Sequence, residues 1–256
     1  MTDKEWALDL VKQFDARWGA GVWTHIERAA LAKGLRERLN NPDALDQGIT
    51  NLCGMASFVR EWLQDDPIGY VWLAICLYEK GVGNLARRGG TGRVIRPSQE
   101  LKNSVLAKVA DPATSKTVDP ADWIIMASLR EDLNVALNYR ADEGWLFFSA
   151  IRGLSDPGDV AKLFSRAGYR EVKNYANTWS RCDAKHLKIA GQYVAAGYKV
   201  VLSIDYRVLE KAKQDSDALV ATMNHWVGLT TPITFDATEK FLAFKVFSWG
   251  KVQSST

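Results

Sequence analysis

The sequence predicts an α+β fold, with helices in its first half and an antiparallel, β-rich end. Three observations carry that reading. Met55, Phe58, Val59, Trp62 and Leu63 recur at the spacing of one helix face. From Trp145 to Asp205, strand-like and helix-like stretches alternate. That alternation alone would suggest a parallel α/β layer. However, His225 to Ile233 and Lys240 to Trp249 are β-like runs joined by the short polar stretch 234–239, which makes an antiparallel hairpin. One domain is expected over residues 1–256, with a helical preface (1–44), a helical part (45–140) and a β-rich part (141–256).

In the preface, Trp6, Leu10, Phe14 and Trp18 stand near helical spacing, and a second helix runs from about Thr24 to Leu39. Both are expected to pack on the back of the core, with His25 half-buried or on the surface. Thr50 or Asn51 is the expected N-cap of the helix that Cys53 opens. Asp65-Asp66-Pro67 ends that helix, and Pro67 suits the first turn of the next. Val71 to Leu77 is apolar all round and is followed by Gly81, so it reads as a buried helix in which Cys76 is inert. Residues 83–98, containing Arg87-Arg88-Gly89-Gly90-Thr91-Gly92-Arg93, lack the spacing of a phosphate-binding loop and read as a surface loop, with a mobile loop near a substrate cleft as the alternative.

Ser98 caps a short helix to about Val109, residues 111–117 form a linker, and Asp119-Pro120 starts a helix through Leu137. Strands are expected over Trp145–Ile151, Tyr169–Tyr175 and Tyr198–Asp205. Between them lie helices opened by Ser155-Asp156-Pro157 and closed by Gly168, and from Asp183 to Ala196, closed by Gly197.

The candidate chemistry sits at the start of the Cys53 helix. First-turn N–H groups have no intrahelical partner, and the helix dipole favours negative charge there, so a thiol's pKa is drawn down and a thiolate is stabilised. The same donors can hold an oxyanion, and Gln47, six residues earlier, offers a side-chain amide. A base is needed, and of the three histidines only His225 lies inside a β-like run. Cys182 and His186 have no second ligand pair to complete a zinc site. No metal or cofactor is expected.

Gln47 followed by Cys53-Gly54, then Asn224-His225-Trp226-Val227, then Phe247-Ser248-Trp249-Gly250 resembles the papain-like cysteine peptidases in order and spacing. Lys199 to Asp205 is similar to the strand that precedes the histidine strand in that family. The resemblance covers about a quarter of the chain. It implies a papain-like fold with catalytic Cys53 and His225, Gln47 in the oxyanion hole, and Trp249 shielding the histidine from water. One position departs from the pattern: the family's orienting Asn aligns with Phe247, which accepts no hydrogen bond from an imidazole. A turn centred near Asp236 sets His225 opposite Phe247 or Ser248, so Ser248 is the first candidate orienter. A backbone carbonyl or an acid from elsewhere, Asp205 included, comes second. Asp236 itself would lie ~30 Å along the strand.

These parts imply acyl transfer. Amide hydrolysis of a protein or peptide substrate is the first expectation. Glutamine deamidation or transglutaminase-like transfer on the same Cys-His site is the alternative, and a catalytically silent binding module a further one. A net charge of +3, with basic and acidic residues interspersed, argues against a nucleic-acid partner. No membrane span, no Sec-type signal and no disulfide framework are expected from the apolar run lengths, the start at Met1 to Trp6 and the three scattered cysteines. The expected setting is cytoplasmic. Equally, the chain reads as a bacterial effector or toxin exported by a signal-peptide-independent system, with a chaperone or immunity protein as partner.

Overall fold

The computed structural model describes residues 1–48, 50–87, 92–106, 117–133, 157–176, 184–205, 224–235 and 242–254. Within them the chain mixes helices with strands, and every strand pair is antiparallel, so the α+β expectation holds.

α1 (Asp3–Asp15) starts at a capping box made by Thr2 and Glu5. It buries Ala7, Val11 and Phe14, one position round from the expected stripe; Trp6 is half exposed, and Trp18 lies beyond the helix in solvent. The small Ala7 and Val11 let α1 approach α2 (Arg28–Asn40) and α4 (Pro67–Lys80). The second preface helix thus begins at Arg28, and His25 lies exposed before it.

α3 (Cys53–Asp65) is buried continuously from Gly54 to Leu63 and packs against α4, α6 (Pro120–Leu133) and the sheet. α4 opens as expected, with Asp66 accepting from the Gly69 N–H and Pro67 in the first turn, and ends at Gly81 in the left-handed region, φ 65°. It is not buried all round, because Trp72 is half exposed. Where a surface loop was expected, β1 (Gly83–Leu85) and β2 (Arg93–Ile95) pair as an antiparallel ribbon flanking residues 88–91, which lie outside the described residues. Ser98 caps α5 (Gln99–Lys102), which is shorter than expected. The 107–116 stretch, the end of the α6 helix past Leu133 and the expected strand at 145–151 lie outside the described residues.

α7 (Pro157–Ala167) and α8 (Ala184–Ala195) stop where the glycines predict, at Gly168 (φ 94°) and Gly197 (φ 85°). The expected strand at 169–175 is corrected: the chain there is irregular and pairs with no strand among the described residues. A strand needs a ladder partner, and this segment lines a cavity together with the residues of the Val200–Asp205 strand rather than pairing with them.

β3 (Val200–Asp205) and β4 (Asn224–Leu229) pair with Ile204 opposite His225. β5 (Thr234–Phe235) and β6 (Leu242–Ala243) form a small ribbon. β7 (Lys245–Ser248) pairs with β4, and β8 (Lys251–Ser254) with β7, giving the order β3-β4-β7-β8. A hairpin centred on Asp236 would set Gly228 opposite Phe244. Instead Gly228 faces Phe247, because the strand breaks at 230–233, where Thr230 and Thr231 take the Lys245 backbone. β8 was not foreseen; it follows the two-residue turn Trp249-Gly250.

Two apolar clusters result. The larger joins α1 to α7 and includes Phe247 from the sheet; the smaller joins α8 to β3, β4 and β7. Lys199 ties the two parts together through Glu61 (3.3 Å) and Asp65 (3.2 Å) of α3.

Candidate active site

Cys53 is the first residue of α3, preceded by Leu52 as N-cap, with no side chain capping the helix. Neither expected cap, Thr50 or Asn51, holds that place, and Thr50 gives its hydroxyl to the Gln47 carbonyl (2.6 Å). The first-turn amides of Cys53 and Gly54 are directed at the Cys53 sulfur, and so is the backbone N–H of Trp226. The sulfur therefore sits one peptide from His225. The residue is half-buried overall. Burial pushes the Cys53 thiol up, more strongly than the three amides and the nearby Arg130 cation draw it down. The lowered thiol pKa expected from the helix N-terminus is thus reversed by desolvation.

His225 lies in β4, 7% exposed. Its Nε2 is 2.5 Å from Ser248 Oγ, and its ring stacks on Trp249 with centroids 4.0 Å apart and planes 9° from parallel. Burial lowers its pKa to about 4. Ser248 meets the histidine diagonally across the β4–β7 pair, within reach for diagonal neighbours. Trp249 has φ 47°, a left-handed conformation that costs a bulky residue ~1–3 kcal/mol. With Gly250 (φ 71°) it makes the tight turn between β7 and β8, and this turn swings the indole over the imidazole.

Gln47 is buried, in a loop whose Gly48 (φ 59°) donates its N–H to Asp46 Oδ1. This loop abuts the Trp249-Gly250 turn: a Cβ at Gly250 would lie 3.3 Å from that of Asp46. The Asp46 N–H donates to Asp122 Oδ2 (2.9 Å), and Arg38 grips the same buried carboxylate with two nitrogens. Burial raises the Asp122 pKa to about 7, outweighing the pull of Arg38, so the carboxyl titrates around neutral pH.

The structure thus gathers Cys53, His225, Ser248 and Trp249, with the Gln47 loop against the turn. The Asp205 side chain lies outside the described residues, as does Asp236. Sequence reasoning missed Arg130, which is buried and paired with Asp159 (3.1 Å), and the Arg38–Asp122 anchor of the Gln47 loop. Neither pairing follows a spacing that a single sequence displays. Cys76 is half-buried, with its thiol pushed up by burial, as an inert cysteine should be. His186 is in α8, whereas Cys182 lies outside the described residues; no cluster of three metal-ligating side chains occurs among the described residues. No helix among them is long and apolar enough to cross a membrane. No family model, no curated protein and no solved structure matches this chain.

Proposed function

We propose that the chain is a thiol-dependent acyl-transfer enzyme of papain-like design, acting as a cysteine peptidase on amide bonds of a protein or peptide. The observation that carries the reading is the position of His225. The ring is buried, held at Nε2 by Ser248 and covered by Trp249, in a strand whose next N–H reaches the Cys53 sulfur.

With the thiol raised and the imidazole lowered, the resting pair is neutral. Nε2–H donates to Ser248, which leaves the Nδ1 lone pair to accept the thiol proton as sulfur attacks the carbonyl carbon. The tetrahedral oxyanion is held by the Cys53 N–H and the Gln47 amide. His225 then gives its proton to the leaving amine, a thioester forms on Cys53, and water deprotonated by His225 releases the acid. Transfer to another amine, or attack on a glutamine side chain, uses the same steps. The effector or toxin setting, with an immunity or chaperone partner, belongs to the same proposal. The neutral pair also motivates a second reading, a silent module on this fold whose thiol is never activated.

The test is acylation by p-nitrophenyl acetate, which bypasses substrate selection. We expect a burst of one equivalent of p-nitrophenolate, acetyl on Cys53 by mass spectrometry, no burst in Cys53→Ser, and a burst rate ~10²–10⁴ lower in His225→Ala. A burst indifferent to His225, or no burst on Cys53, would sink the enzyme reading and leave the silent module.

A further inference from the structure

A cavity of about 250 Å³ runs along the edge of β3 that is unpaired among the described residues. Val200, Val201, Leu202, Ser203 and Ile204 all touch it. Successive side chains of a strand point to opposite faces, so five consecutive residues can share one cavity only along the strand's edge. Among the described residues β3 is the outer strand of its sheet, with β4 on its other side. The irregular segment 171–176 also lines the cavity, residue by residue. Among the described residues, neither the outer edge of β3 nor the backbone of 171–175 has a backbone partner across the gap.

An unpaired strand edge is a template for pairing with another chain, so the outer edge of β3, bordering an apolar cavity also lined by the unpaired backbone of 171–175 among the described residues, points to a chain that fits along it. Phe164 of α7 closes one side, and Tyr193 of α8, stacked with the exposed Tyr175 and edge-on to Tyr198, stands at the mouth. The buried Ser203 hydroxyl in the wall has no hydrogen-bond partner. The volume lies below the ~300–1,000 Å³ of clefts that swallow a whole small ligand. It suits a few side chains of a strand.

We infer that this groove docks an extended polypeptide segment with alternating apolar residues, added as a strand between β3 and residues 171–176. Trp226, whose N–H faces the Cys53 sulfur, also lines the groove, so the two sites are continuous. At ~4.8 Å per strand spacing the docked segment runs ~10 Å from β4. It is therefore an anchoring segment of the substrate, remote from the bond attacked. Strand addition stands without the thiol chemistry; calling the docked chain a substrate rests on the function proposed above.

The probe is the peptide Ac-Thr-Val-Thr-Tyr-Thr-Val-Thr-NH2, added to the full wild-type chain and followed by amide hydrogen exchange. Two copies N-methylated at odd or at even positions, and 4-methylphenol as a small aromatic, are the controls. We expect the peptide to slow exchange at least about fivefold within 200–205 and 171–176, and both methylated copies to lose the effect. Protection that survives N-methylation would mean side-chain filling without strand pairing, and overturns the inference. Protection by 4-methylphenol alone would make the cavity a small-molecule pocket, and no protection by any probe would make it a packing void. Either overturns it. The readout does not depend on Cys53. Protection without an acylation burst would remove the enzyme and keep the groove, and a burst without protection would do the reverse.

Discussion

The Trp249 indole covers one face of the imidazole, and desolvation is the cause of the low His225 pKa. Trp249→Ala should therefore raise that pKa from about 4 toward 6.5, read from the His225 ring proton in an NMR titration. The acid limb of the burst rate should move with it. In the wild type His225 acts as a base when neutral, so activity should persist at pH 5 and fail only near pH 4; in Trp249→Ala it should fail near pH 6. An unmoved limb would separate the indole from the base. Ser248→Ala removes the Nε2 acceptor and should slow acylation about tenfold, with Ser248→Asn recovering it. Cys53, His225 and Ser248 were legible because each sits in a short local pattern: a helix start, a strand motif and a hairpin end. The thiol's acidity was not, since helix position argues for a low pKa while burial, a property of the whole fold, argues the other way and wins.

At the scale of elements, α3 approaches the sheet at Gly228, where a Cβ would lie 3.0 Å from Glu61 Oε1. That carboxylate is pinned by Arg60 and Lys199 and cannot swing away. Gly228→Ala should cost ~1–3 kcal/mol in denaturant unfolding. The Gln47 loop hangs on α6 through Asp122, and Arg38→Met would strip that buried carboxylate of its cation. The expected loss is ~3–5 kcal/mol at pH 8, measured by thermal unfolding. It should shrink at pH 5, where Asp122 binds a proton, and be largely repaired by adding Asp122→Leu. Helix ends were readable wherever Pro or Gly marks them, as at Pro67, Gly81, Gly168 and Gly197. The segment 169–175 misled because its composition suits a strand while pairing depends on a neighbour that composition does not reveal. The β4–β7 register slipped because Pro232 and the Thr230–Lys245 bonds break the hairpin before its turn.

For the whole molecule, two buried groups that titrate below pH 8, His225 and Asp122, pull stability in opposite directions with pH. His225 has a folded pKa of about 4 against 6.5 for the free side chain. The folded state therefore binds fewer protons there, and the stability His225 contributes is complete above pH 6.5 and is lost as pH falls toward 4. Asp122 is raised from 3.8 to about 7, so its contribution is complete below 3.8 and is lost as pH rises through 7. Over pH 4 to 6.5 the two offset one another, and the wild-type stability curve alone would look flat. The difference between wild type and His225→Asn cancels the Asp122 contribution. Asn cannot charge, so the wild type should lose about 3 kcal/mol relative to the variant between pH 7 and pH 4, measured by urea unfolding at each pH. A difference that stays constant across that range would mean that His225 titrates in the folded state as it does in the unfolded chain. The desolvation of its ring, and with it the acid limit near pH 4 expected for the burst, would then fall.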